Sequence, residues 1–316
     1  MQNYEVFLNA EFRAGIAAAL GLSDSSIQVS ESGRVVAEYK YFIRNGKPFR
    51  PNYLYDAVYV ESKAIGSNAS RNAYWLKLSA VLVGKLHEAR IQTINLVPSF
   101  SDVRPFTWCR FWASPFYSVY LTKDSVPESS ARKEIKKALR AGYTVERATQ
   151  VDVGGLFDCL VSTETRQNLP GAYSKTFTAD ALGRLLRLCP SLVFYICKKD
   201  GAVAGFRLVI HDGSNTAHDW LAAVDAQHLP NGISDLLLHH AATDLFRSGC
   251  EFFDLHGANV PNVQFFKFKH GGILIQSFRV STLGHIFRSL LWNSLYGVYV
   301  RIASFYRRKS IPKDAP

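Results

Sequence analysis

The groups best suited to chemistry gather in the last third of this chain. His218, Asp219 and Trp220 stand in a row within Thr216 to Ala223, a run that reads as a strand. Neighbouring strand residues point to opposite faces, so His218 and Trp220 share one face and Asp219 takes the other. An imidazole titrates near neutral pH and can accept a proton, although a single strand histidine is more often a hydrogen-bonded structural residue. Further on, the short apolar run Phe252 to Leu255 breaks at His256-Gly257, where glycine permits a sharp turn. That break puts Asp254, His256 and Asn259 at the exposed end of a strand. Asn259 then caps a helix with Pro261 in its first turn, in which Val263 and Phe266 share a face. Lys267 and Lys269 lie on the same helix among phenylalanines. Spacing alone makes the lysines solvated and the phenylalanines core.

Arginine supplies a second group of candidates, because its planar fork suits bidentate contact with phosphate or carboxylate. Arg104 and Trp108 belong to the segment Asp102-Val103-Arg104-Pro105-Phe106-Thr107-Trp108. Arg132, Lys136 and Arg140 recur every fourth residue on a helix from Ala131 to Ala141, and Lys133 and Lys137 widen that basic edge. Ile135 and Leu139 are expected to face the core. Arg166 ends a helix begun at Val153 and precedes a loop through Pro170. A basic face is usually just solvated; the competing use is holding phosphate groups.

The elements that must position these residues form an α/β mixture with hairpins. Helices are expected at Glu11–Leu20, Ala73–Ala89, Ala179–Leu188 and Ser234–Ser248, the last capped by Ser234 and stopped by Gly249. Strands are expected at Arg34–Ile43, Tyr53–Val60, Ile91–Val97, Phe116–Leu121, Leu192–Cys197, Ala202–His211 and Ile273–Val280. Asn45-Gly46 and the turn Lys198–Gly201 are hairpin signals, and Tyr53–Val60 would be the strand returning from the first. The polar stretch Lys123–Ser130 reads as a junction between domains.

Three segments carry a resemblance. Asp254, Gly257, Phe266-Lys267 and Gly271-Gly272 stand as in the C-terminal signature of the FemABX-like acyltransferases, which belong to the GNAT superfamily. The segment Asp102–Trp108 resembles the one that closes their first domain, and Arg132 through Tyr143 resembles the one that opens their second. The resemblance implies an α+β fold of two tandem GNAT-like domains with mixed, mostly antiparallel central sheets. It implies a degenerate N-terminal domain over 1–125 and an acyltransferase domain over 126–282; the remainder, 283–316, reads from its own spacing as a basic amphipathic tail. It implies N-acyl or aminoacyl transfer from an activated donor to an amine, with no tightly bound cofactor. The donor would be acyl-CoA, an acyl carrier protein or aminoacyl-tRNA, and the acceptor an amino sugar or peptide of the cell envelope. On that reading His218, Asp219 and Lys267 are catalytic, with Lys267 a cation near the donor carbonyl or phosphates. Arg104, Trp108, Arg132, Arg166, Trp220, Asp254, His256 and Asn259 would bind the acceptor. Asn231, Gly232, Ser234 and Phe266 would bind the donor. Only one glycine remains of the superfamily's glycine-rich coenzyme A motif, which leaves room for a carrier protein or tRNA.

Composition is that of a folded globular protein and narrows the partners. The chain has 316 residues, 47% hydrophobic and 20% charged, enough to bury one large or two medium cores. Its formal net charge is +11, which favours acidic partners. A basic, non-catalytic module binding nucleic acid or an acidic carrier protein is the alternative, though no RNA-binding motif is present. The cysteines number five, an odd count, and none forms a CxxC pair, against both a disulfide framework and a zinc site. The start MQNYEVFLNAEF lacks the basic and apolar parts of a leader, and no uncharged apolar run reaches the ~18 residues of a membrane span. A cytoplasmic protein is expected. Its tail interleaves Ile286, Leu290, Leu291, Trp292, Tyr296 and Tyr299 with Arg288 and Arg301, a pattern suited to weak contact with an anionic membrane.

Overall fold

The computed structural model describes residues 5–51, 55–61, 67–149, 152–169, 171–259 and 261–287. Helix α1 (Ala10–Leu20) starts where the Asn9 side chain accepts from the Phe12 N–H and stops at Gly21, whose φ of 64° is left-handed. Strands β1 (Ser23–Glu31), β2 (Arg34–Arg44), β3 (Lys47–Phe49) and β4 (Ala57–Val60) make a four-stranded sheet around β2. Asn45 and Gly46 both have positive φ, the conformation a two-residue hairpin requires. The strand returning from that turn is therefore β3, and β4 pairs further along β2. β1 was not expected: in SDSSIQVSE only Ile27 and Val29 are apolar, and the strand is held by its ladder to β2.

Helix α2 (Asn68–Glu88), strand β5 (Thr93–Asn95), helix α3 (Arg104–Trp108) and strand β6 (Phe111–Thr122) complete the first part. Then come α4 (Ser129–Arg140), β7 (Thr144–Ala148), α5 (Val153–Gln167), α6 (Ala179–Leu188), β8 (Leu192–Lys199), β9 (Ala202–Ile210) and β10 (Thr216–Val224). Last are α7 (Ile233–Arg247), β11 (Phe252–Gly257), α8 (Pro261–Phe268) and β12 (Ile273–Thr282). The fold is α+β. Eight strands form one sheet in the order β5-β12-β6-β11-β10-β9-β8-β7, so β5 and β6 join a sheet completed by strands from the end of the chain.

Among the described strands of this sheet, β10 and β11 are the one parallel pair, and they pair only from Thr216–His218 to Phe252–Asp254. Beyond that point β10 continues against β9 while β11 turns away at His256 and Gly257. One face of the sheet packs Phe253, Leu255, Val119 and Leu121 against α4 and α7. The other packs Phe206, Leu208, Ile210 and Trp220 against α1, α5 and α6. A third core joins α2 to β2, Phe106, Phe111 and Val280.

Two local expectations change. Leu139 is exposed, and Ile135 and Ala138 make the buried face of α4. The N-cap of α7 is Gly232, two residues earlier than Ser234. All five cysteines are free thiols. The amphipathic tail lies outside the described residues from 288 onward, as does Pro170.

Candidate active site

Asp254 is the centre of the site. It has no exposed surface, and four donors converge on it. Ser118 Oγ and the His256 backbone N–H donate to Oδ1, the latter at 2.8 Å, and the Tyr120 hydroxyl donates to Oδ2 at 2.7 Å. His218 Nδ1 lies 3.4 Å from Oδ2. The elements explain this convergence. In β6, Ser118 and Tyr120 sit two apart and so point to one face, across the antiparallel ladder from Asp254. In β10, His218 is the last residue to pair with β11, and its partner is Asp254. Burial would raise the carboxyl pKa, but the His256 and His218 imidazoles and the Ser118 hydroxyl outweigh it and hold the group well below the usual range.

His256 occupies the left-handed conformation, φ 52°, with Gly257 at φ 50° behind it. This reversal swings two carbonyls out of the sheet. Lys267 of α8 fills the position: its ammonium donates to the Leu255 carbonyl and, at 2.8 Å, to the His256 carbonyl. A side chain at residue 257 would bring its Cβ to 3.2 Å from Lys267 Nζ, so the glycine admits the ammonium. Burial pulls the Lys267 pKa down to about 8, with Asp219 opposing the fall, Arg207 adding to it and Asp254 opposing it. Burial likewise takes His256 down to about 4, which leaves it neutral at pH 7. Its Nε2 lies 3.7 Å from Asp254 Oδ2, beyond hydrogen-bond length.

Asp219, on the other face of β10 from His218, is ion-paired at 2.5 Å with Arg207 of β9. Its Oδ1 has no hydrogen-bond partner among the described residues. A buried carboxylate oxygen without a donor is costly, and so is suited to receiving a cation from a ligand. The aromatic rings of Phe7 and Tyr55 cover His218, with centroids 4.9 and 6.2 Å away, and Tyr55 also lies 4.7 Å from the His256 ring. Donor atoms of His218, Asp254 and His256 all fall within 4.8 Å of one another, the spacing of a metal-ligand set. Both oxygens of Asp254 are already taken by hydroxyl and amide donors, whereas the buried Nε2 of His256 has no hydrogen-bond partner among the described residues.

The structure thus brings His218, Asp254, His256 and Lys267 together, with Asp219 close enough to act on Lys267. Other expected residues lie elsewhere. Trp220 is a core residue packed edge-on against Phe177. Asn259 turns its side chain to β6: it accepts from the Tyr117 N–H at 3.1 Å and donates to the Tyr117 carbonyl at 3.0 Å, standing in for a strand residue beside β6. Arg104 is clamped on Asp102 at 2.6 Å at the start of α3, and Trp108 is 61% exposed beside it. Arg132 and Arg166 are exposed on α4 and α5. Asn231 Nδ2 donates to the Tyr143 hydroxyl, and Gly232 lies against α4, where a Cβ would meet the Glu134 carbonyl oxygen at 2.4 Å and its Oε2 at 2.9 Å. The Glu134 carboxylate therefore already sits at the N-terminus of α7. Ser234 lies half-buried in the first turn of α7, and Phe266 packs at the edge of the α7 core.

Ser118, Tyr120, Arg207, Tyr55 and Phe7 belong to the site and were not read from the sequence. Two signals were there. Arg207 is a charge inside the apolar run AVAGFRLVI, which demands a partner, and Ser118 and Tyr120 are hydroxyls at strand spacing.

A parallel strand pair that opens, with polar groups on both lips, is the arrangement the GNAT superfamily uses for acyl transfer, and residues 128–269 match the family model described as acetyltransferase (GNAT) domain. The chain therefore carries a domain of the acyltransferase class. Over nearly its whole length it has the fold of FemX, at 12% identity and a TM-score of 0.56, covering 89% of this chain and 93% of that one. A C-terminal domain (DUF2156) assigned to a lysylphosphatidylglycerol synthetase of Agrobacterium fabrum gives 16% identity and a TM-score of 0.58, covering 92% and 93%. L-PGS from Bacillus licheniformis gives 13% and 0.54, covering 87% and 92%. A search of curated proteins finds no match. Residues 128–269 are thus matched as a GNAT acetyltransferase domain, and the chain around them shares its fold with FemX and with the Agrobacterium fabrum domain.

Proposed function

We propose that the protein transfers an acyl or aminoacyl group to an amine in the opening between β10 and β11. The observation that carries this is Lys267, whose ammonium is held inside the fold at the point where β11 leaves β10, within electrostatic reach of Asp219. In the reaction the acceptor nitrogen attacks the donor carbonyl carbon. The carbon–sulfur bond of a thioester, or the carbon–oxygen bond of an ester, breaks. The proton lost from nitrogen passes to the leaving thiolate or alkoxide. Lys267 stabilises the oxyanion formed on the way, and the open carboxylate oxygen of Asp219 takes the first proton from the bound acceptor ammonium and then orients the neutral amine that attacks. His218 and His256 hold Asp254 as an anion beneath them, and His218 keeps the strand pair in register.

The donor is acyl-CoA, an acyl carrier protein or an aminoacyl-tRNA. The Glu134 carboxylate at the start of α7 repels a pyrophosphate there, which favours the last two. Two fold neighbours named for lysylphosphatidylglycerol synthesis keep an aminoacyl cargo among the candidates. The acceptor class is an amino sugar or peptide of the cell envelope. The net charge of +11 suits an acidic donor or acceptor, and the basic tail suits peripheral membrane contact. No helix among the described residues is long and apolar enough to cross a membrane.

The test is turnover of a panel of acyl-thioesters and aminoacyl-tRNAs with amino-sugar and peptide acceptors. Product with at least one pair, reduced on the order of 100-fold in Lys267→Ala, supports the proposal. Absence of product throughout, together with tight salt-sensitive binding of tRNA, would instead identify a binding module.

A further inference from the structure

On the face of the large sheet opposite Asp254 lies a second site. A cleft of about 340 Å³ opens between the loop after β6, the C-terminal half of α7 and the end of α8. It lies on the face of Leu121 and Phe253, whereas Tyr120 and Asp254 point the other way. It also sits at the far end of α7 from the Gly232 turn, since its α7 residues are His239 to Arg247.

The lining is one-signed. Lys123, Arg247, His239 and His270 line the cleft and no carboxylate does. Of the two acids on α7, Asp235 is already engaged by His270 Nε2 at 3.0 Å and Lys269 Nζ at 2.7 Å, and Asp244 accepts from the Tyr195 hydroxyl at 2.7 Å. Neither Lys123 nor Arg247 has an ion-pair partner among the described residues. Ser125 Oγ accepts from the Thr122 N–H, which leaves its hydroxyl proton to donate outward. Beneath the cations are Leu121, Ala242 and the Phe246 ring. An apolar floor with a few convergent polar groups, in this volume range, is what a small-molecule site looks like.

We propose that this cleft binds a phosphate dianion carried on a small molecule whose apolar part rests on Phe246. Lys123 and Arg247 neutralise the charge, Arg247 with its fork, and Ser125 donates a hydrogen bond. His239 gains as well. His239 is pulled down by burial and by the neighbouring His270 and His240, and a bound anion offsets that repulsion. The site stands on its own lining and does not rest on the acyl-transfer reading.

The experiment is an NMR titration of the full-length protein, observing the His239 and His270 ring resonances. Adenosine monophosphate and inorganic phosphate are the probes, against sodium chloride at matched ionic strength. The expected result is a saturable shift with a Kd at or below about 1 mM for the nucleotide. Binding should weaken about tenfold or more in Lys123→Ala/Arg247→Ala, whose side chains are exposed and whose removal leaves the core intact. Lys133→Ala, an exposed cation on α4, should bind as the parent does. A shift that grows linearly without saturating overturns the proposal. So does full binding in the double variant, or equal weakening in Lys133→Ala.

Discussion

The role proposed for Lys267 ties the reaction to the charge state of one buried ammonium. Its function as an oxyanion partner needs the ammonium form, which is lost as pH rises through about 8 rather than through the ordinary lysine range near 10.5. The rate should therefore fall above pH 8 while the fold persists. Lys267→Arg keeps its charge to far higher pH, so any residual activity of that variant should lack the alkaline limb. A wild-type pH–rate profile flat to pH 10 would remove Lys267 from the chemistry. Asp219 makes a complementary prediction. Asp219→Asn keeps the shape but loses the anchor for an ammonium and the acceptor of its first proton, and should raise KM for the amine by about tenfold or more and lower kcat as well. An effect on kcat alone would assign Asp219 to structure through Arg207.

At the scale of elements, α8 is placed by its two ends. Asn259 pairs with the Tyr117 backbone at one end, and Gly271 closes the other with φ +82° against the loop after β6. A Cβ at residue 271 would lie 2.6 Å from the Val126 carbonyl oxygen and 2.7 Å from its nitrogen. Gly271→Ala thus combines a left-handed backbone with a backbone clash and should cost roughly 2–3 kcal/mol. Because α8 carries Lys267, turnover should drop together with the melting temperature. A variant that melts like the parent would mean that the loop yields freely and that α8 is not wedged there.

For the molecule as a whole, the buried cluster sets the response to acid. His256 titrates at about 4 when folded and near 6.5 when unfolded, so between those values the unfolded chain binds the extra proton. Stability therefore falls as pH drops from 6.5 towards 4. Asp254 is depressed below the ordinary value of 3.8, so its contribution is present above about that pH and is lost below it. The two losses have the same sign and follow one another. Melting temperatures measured from pH 7.5 to 3 should decline in both windows, and His256→Gln should flatten the upper one. A melting temperature that climbs between pH 6.5 and 4.5 would contradict the buried neutral imidazole. The tail gives a separate prediction: anionic vesicles should co-sediment the protein, and deletion of residues 283–316 should abolish this.

The sequence by itself determined the kind of fold and the residues most worth watching. Turn residues and apolar periods act within a few positions of one another, so Asn45-Gly46 and the β8–β9 hairpin were legible locally. His218 and Asp254 were singled out as titratable groups in or ending a strand, and Lys267 through the resemblance of its segment to the FemABX-like signature. Tertiary structure decided which of them meet. Lys267 reads as solvated from its neighbours in sequence, yet the reversal at His256-Gly257 exposes two carbonyls that only an inward ammonium satisfies. Tyr120 lies 134 residues from Asp254, and only the β6–β11 ladder makes them partners. Trp220 and Arg104 show the converse: residues of promising type went to the core and to a local ion pair, because packing and nearby charge satisfied them first. Long-range pairing leaves no mark in local spacing, and that is where the site was made.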